Sequence, residues 1–154
     1  MVDTGALTVH VLRALIQERY GRVEGDLAVT LLSFGFKHGL PAEADIVLDV
    51  RFLPNPFFVP HLSALSGEDE AVMRFVLEDP ETKEFVDRAE EFLKVSVKGF
   101  LREGKSYATV AIGCTGGRHR SVAITEHLAA LFRDREEYFV EVAHRDVDRL
   151  PIRN

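Results

Sequence analysis

The sequence predicts an α/β domain, a mostly parallel β-sheet flanked by helices, and three observations carry that prediction. Four apolar stretches suited to strands, at 27–34, 45–50, 107–112 and 138–143, alternate with segments whose apolar residues recur at helical spacing. A length of 154 residues is one domain's worth, enough to bury a core unaided. With 46% hydrophobic and 29% charged residues, the composition excludes a disordered or fibrous polymer.

Taken in order, Val9, Leu12, Leu15 and Ile16 mark an amphipathic helix over Thr8–Tyr20, and residues 1–25 read as an N-terminal helix and linker. Residues 26–146 read as the ligand-binding domain and 147–154 as a polar tail. Leu27–Phe34 is apolar enough for the inside of a sheet, and Asp45–Val50 reads as a second buried strand. The connection between them is short for a parallel crossover, so their relative direction stays open. Arg51–Pro60 holds three prolines and is neither regular helix nor central strand.

Ser66 with Asp69 resembles a capping box opening a short helix to about Leu77. Asp79-Pro80 starts a second helix, which buries Phe85, Ala89, Phe92, Leu93, Val97 and Phe100 and stops before Gly104. Tyr107–Ile112 is a third strand, followed by a glycine-rich loop. A helix with Ile124, Leu128, Leu131 and Phe132 on one stripe comes next, then a last strand, Tyr138–Ala143.

Nineteen basic residues against twenty-five acidic ones give a formal charge of −6, which argues against broad nucleic-acid binding. Between Gly67 and Glu91 there are ten acids and three bases, so the rest of the chain is about neutral and free to form anion sites. One cysteine excludes an intrachain disulfide framework. No signal peptide or membrane-length apolar run is apparent, and a cytoplasmic protein is expected. No spacing of His, Cys and acids suggests a metal site, and no cofactor is expected.

The strongest functional signal is the loop Gly113-Cys114-Thr115-Gly116-Gly117-Arg118-His119-Arg120-Ser121 between a strand and a helix. Gly116 and Gly117 allow a sharp turn and close approach to a ligand. Amides at the helix start favour an anion, and Arg120 adds a bidentate grip on phosphate oxygens. Cys114 to Ser121 are therefore candidate phosphate-binding residues, with His119 a donor whose strength changes with pH near neutrality. Cys114, five further residues, Arg120 and Ser121 also fit the loop of cysteine-dependent phosphatases, a second reading in which Cys114 and Arg120 are catalytic. Against it, Gly113 stands where that loop usually has His, and only Asp49 and Asp79 suggest themselves as a general acid.

Lys37 and His38 leave the first strand and Arg51 the second, so their loops are expected at the same rim. Arg51 and Asn55 suit hydroxyl or amino recognition, while Asp49 either pairs with a ligand amine or fixes Arg51. His144 and Arg145 are candidate RNA contacts, along with Arg118. His10, His61 and His127 are given no site role. Phe52, Phe57 and Phe58 make either an exposed partner surface or core packing. Gly99–Ser106 satisfies the nucleotide P-loop pattern, but here a helix precedes the motif and a strand follows, so it is read as a helix C-cap at Gly104.

Three separated motifs, Ser33–Gly39, Asp49–Pro56 and Gly113–Ser121, together resemble the C-terminal domain of the RNase adapter protein RapZ family, over about residues 8–146. The resemblance implies a fold similar to a phosphofructokinase half-domain, self-association, and binding of glucosamine-6-phosphate. It further implies small RNA and an endoribonuclease as partners, in a sensor and adapter rather than a conventional enzyme. Family members of full length carry an N-terminal nucleotide-binding domain that this chain does not include.

Overall fold

A computed structural model describes residues 27–133 and 138–149. The predicted helix Thr8–Tyr20 and the last five residues of the predicted tail lie outside them. Four strands, β1 (Leu27–Gly35), β2 (Ile46–Asp49), β3 (Tyr107–Cys114) and β4 (Tyr138–His144), form one sheet in the order β2-β3-β1-β4. Every pairing is parallel, with Gly35 opposite Cys114, Asp49 opposite Gly113 and Ser33 opposite His144. Helices α1 (Glu70–Leu77), α2 (Pro80–Glu103) and α3 (Arg120–Phe132) complete the α/β domain.

β1 lies between two partners and is buried at all nine positions, as its unbroken apolar run requires. Residues of all three helices pack with Leu27, Val29 and Leu31 into one core, while Leu32 and Ala143 make a small second cluster. β2 corrects the expectation of a second buried strand. It is an edge strand of four residues with alternating burial, and Val47 is exposed. Its direction, left open by the sequence, is parallel. A short connection suffices because β2 enters halfway along β3, Ile46 beside Val110, so the chain retraces only half the sheet.

Ser66 and Asp69 do not form the predicted capping box. The Ser66 N–H donates to the Asp69 carboxylate at 2.8 Å, but Ser66 Oγ accepts from Glu68, and the helix starts only at Glu70. For α2 the start holds: Asp79 accepts from the Thr82 N–H at 3.1 Å, with Pro80 in the first turn. Gly104 ends it in the left-handed region at φ 81°, donating to the carbonyls of Phe100 and Leu101. The P-loop-like motif is thus a helix end, and Lys105 pairs with Asp45 at 3.2 Å. The buried face of α2 is Thr82, Val86, Ala89, Leu93 and Val97. Phe92, next to Leu93 and so turned about 100° away on a helix, is exposed. Leu131 of α3 is likewise partly exposed beside buried Phe132.

Strand order also dictates how the chain leaves the sheet. β1 must reach β2 beyond β3, and β3 must reach β4 beyond β1, so the two exits cross above neighbouring strand ends. They cross at contact distance: a Cβ on Gly35 would lie 2.4 Å from the Gly116 carbonyl carbon, and one on Gly117 would lie 2.5 Å from the Gly35 nitrogen. Gly117 also takes φ +80°, a conformation that favours glycine.

Candidate anion-binding site

Above the carboxyl ends of β1, β2 and β3 lies a cavity of about 510 Å³. Three segments build its walls. The first is the short turn after β1, carrying Lys37 and His38; the Lys37 N–H donates to the Thr115 carbonyl at 3.1 Å and ties this turn to the glycine loop. The second is the proline-rich stretch after β2, contributing Arg51, Leu53, Asn55, Phe57 and Phe58. The third is Cys114–Gly116 with Arg118–Arg120, entering α3. Ten of the residues singled out by sequence therefore meet at one cavity: Lys37, His38, Arg51, Asn55, Cys114, Thr115, Gly116, Arg118, His119 and Arg120. No carboxylate lines it.

Arg120 joins two of the walls. Its Nη1 donates to the carbonyls of Arg51 at 2.5 Å and Leu53 at 3.0 Å, and Nη2 reaches Thr115 Oγ1 at 3.5 Å. Its Nε is buried without a hydrogen-bond partner. Burial lowers the guanidinium's pKa from its ordinary value, which is high enough that arginine stays charged. Arg118 is a strut: its three nitrogens donate to the carbonyls of Ala64, Leu65 and Val147. His119 lines the cavity and is also tied to the chain. A carbonyl can only accept, so Nε2 carries the proton and gives it to Ser63 at 3.1 Å. Burial first, and the charges of Arg118 and Arg120 after it, push the ring's pKa below the ordinary histidine value.

Asp49 does not line the cavity; it grips Arg51, accepting from Nε and from Nη2 at 2.6 Å. That bond to Arg51 holds the Asp49 carboxyl below its usual range. The Arg51 guanidinium also sits 3.7 Å over the Phe36 ring, so its side chain is fixed on two sides. Asn55 is a turn cap, its Oδ1 accepting from the Phe57 N–H at 3.1 Å. Phe57 and Phe58 then stand as an exposed edge-to-face pair on the cavity wall; Phe52, also exposed, lies off the cavity with its ring against Phe85.

Cys114 is almost fully buried, its Sγ 3.1 Å from the Ser121 hydroxyl oxygen, and Ser121 is buried too. Gly113 has a steric reason: a Cβ there would stand 2.5 Å from the Phe34 ring and 2.6 Å from that of Phe36. Asp79 is occupied at the start of α2. His144 and Arg145 are both engaged. His144 Nδ1 meets Ser33 Oγ, and Nε2 donates to Glu126, each at 2.7 Å. Arg145 donates to Asp146 and, at 2.7 Å, to the Gly39 carbonyl.

Residues missed in the sequence are Leu53, Ser63, Arg149 and, behind the cavity, Asp146. Asp146 is fully buried and accepts from the Gly35 N–H at 2.8 Å as well as from Arg145 and Arg149. Its place in an acidic and basic stretch near the chain end carried no signal of this. Among the described residues, no group of three or more His, Cys, Asp or Glu could hold a metal ion, and no helix is long and apolar enough to cross a membrane.

The sequence model of the RapZ C-terminal domain matches residues 27–148, which includes the three segments that build the cavity walls and every lining residue but Arg149. The chain belongs to this family. Curated relatives of the RapZ C-terminal domain chain include a nucleotide-binding protein of Thermobifida fusca, 51% identical over 150 residues, covering 97% of this chain and 51% of that protein. A nucleotide-binding protein of Streptomyces coelicolor is 50% identical over 97% of this chain and 50% of its own length. One of Geobacter sulfurreducens is also 50% identical, with 97% and 53% covered. The chain thus spans about half the length of these curated relatives.

Proposed function

We propose that this RapZ C-terminal domain is a sensor and adapter module that binds a phosphorylated amino sugar of the glucosamine-6-phosphate kind. The observation that carries the reading is a cavity lined by five Lys or Arg side chains and no carboxylate, at the N-terminal end of a 13-residue helix. In this reading the amides from Thr115 to Ser121 and the charge of Arg120 hold the phosphate. Lys37, His38 and Arg51 donate to sugar hydroxyls, and Asp49 keeps Arg51 in place. A homo-oligomer, a small RNA and an endoribonuclease are the partners that go with it, with His144 and Arg145 as the RNA contacts the sequence nominates.

Calorimetric titration with glucosamine-6-phosphate tests it. Binding is expected, and Gly116→Ala is expected to weaken it at least tenfold without unfolding the chain, since a Cβ at Gly116 meets nothing within 4 Å and points into open space beside the cavity. Absence of heat with this or any hexose phosphate defeats the reading.

One observation favours the second reading, a cysteine-dependent phosphatase: Cys114 and Arg120 both line the cavity, and the buried Ser121 hydroxyl lies 3.1 Å from Cys114 Sγ. It lacks an acid, because Asp49 is held ionised by Arg51 and Asp79 caps α2. Turnover of an aryl phosphate that vanishes in Cys114→Ser would establish it; the sensor reading expects no turnover.

A further inference from the structure

Phe58 is 79% exposed, more than any other large apolar side chain among the described residues, and it stands on the cavity wall. Its neighbour Phe57 is 51% exposed and meets it edge to face, with ring centroids 5.6 Å apart. Neither ring belongs to the core, whereas Leu53 before them is part of it and Val59 after them packs against it. Packing therefore gives no reason for two phenyl rings in this turn, and in water they forgo the stabilisation that burial gives an aromatic side chain.

The backbone that carries the rings is fixed. Asn55 accepts from the Phe57 N–H with its side chain at 3.1 Å and from the Phe58 N–H with its carbonyl at 3.2 Å, and Pro56 between them is buried. Arg120 holds the carbonyls of Arg51 and Leu53, so this wall is fastened to the start of α3. Apart from the two rings, Leu53 and Cys114, every side chain lining the cavity is polar or charged. An aromatic wall beside donor-rich walls matches the two-sided chemistry of a glucose-type pyranose. Its hydroxyls project from the ring edge, where Lys and Arg can donate to them, while C–H groups line its faces. Those C–H groups are slightly positive and settle against the negative face of an aromatic ring.

We propose that Phe58, buttressed by Phe57, stacks on the C–H face of the bound sugar and so selects a hexose phosphate over phosphate alone. This rests on the proposed phosphate reading of the glycine loop and adds the contact that reads the sugar. The test compares glucosamine-6-phosphate with inorganic phosphate, by calorimetry at fixed pH and ionic strength, on the unaltered chain, Phe58→Ala and Phe58→Tyr. The unaltered chain is expected to prefer the sugar phosphate at least tenfold. Phe58→Ala should weaken the sugar phosphate at least tenfold, about 1.4 kcal/mol, while inorganic phosphate stays within twofold, which also shows that the chain remains folded. Phe58→Tyr keeps the ring and should hold the sugar phosphate within threefold. A smaller loss in Phe58→Ala, or as large a loss in Phe58→Tyr, overturns the stacking and leaves the phosphate reading standing. An equal loss of both ligands in Phe58→Ala overturns it as well, because the ring then only props the wall. Failure of both ligands to bind the unaltered chain overturns the stacking and the phosphate reading together.

Discussion

The glycine loop and the proline-rich segment face each other across one cavity, yet they are held in opposite ways. Gly113–Ser121 is shaped by close packing at its glycines: Gly113 yields to the rings of Phe34 and Phe36, and Gly117 to the backbone of the crossing chain at Gly35. Arg51–Phe58 has no sheet partner of its own and is held by side chains, chiefly Arg120 on the carbonyls of Arg51 and Leu53, and Asn55 capping the turn under Phe57. Errors in the first wall should therefore damage the fold, and errors in the second should damage the site. The contrast predicts an order of effects.

The largest is Gly117→Ala, which forces a side chain into positive φ and onto the backbone of Gly35. A stability loss on the order of 3 kcal/mol is expected in urea unfolding; a midpoint unchanged from the parent would refute the crossing-chain account. Arg120→Ala comes next. It strips two carbonyls of their donor and should lower stability by about 2 kcal/mol, with the proline-rich segment, and not the sheet, gaining amide exchange. Arg120→Lys should rescue little, because a compact ammonium cannot serve both carbonyls and Thr115 together.

A smaller effect is written in pH. The buried His119 ring prefers to be neutral in the fold, so its folded pKa lies below the 6.5 of an ordinary histidine. Its stabilising contribution is complete above about pH 6.5 and is lost as the pH falls below that value, where the unfolded chain takes up the proton first. His119→Gln should flatten this part of the stability–pH curve between pH 7.5 and 5.5; an unaltered curve would place the titrating group elsewhere. Smallest of all is Asp49→Asn. The pair with Arg51 is half exposed, and stability should change by less than about 1 kcal/mol, while ligand affinity falls through a loosened Arg51.

What the sequence made legible follows the same division. Strands β1 and β3 and helix α2 announce themselves, because a continuous apolar run, an Asp-Pro start and a glycine end are local signals. The glycine loop is equally visible, although its residues alone do not show that Gly117 makes room for the crossing chain at Gly35. Long-range facts were hidden. Whether β2 is an edge depends on strand order, which no window of residues contains. Arg118 and His119 are candidate anion ligands by residue type, and no window of sequence shows that they also bond the carbonyls of residues 63–65 and, for Arg118, Val147 as well. Asp146 was the least visible, since burial alone turns an acid among surface charges into the pin between β1 and Arg149.

The central claim is that the crossing of the β1 and β3 exits creates an anion site at the head of α3. Its most direct test is a titration of the isotope-labelled chain with glucosamine-6-phosphate, followed through the backbone amide resonances. Saturable shifts are predicted at Thr115–Ser121 and at Lys37 and His38, with the middle of α2 unmoved. Shifts confined to α2 or β4, or none at millimolar ligand, would contradict it.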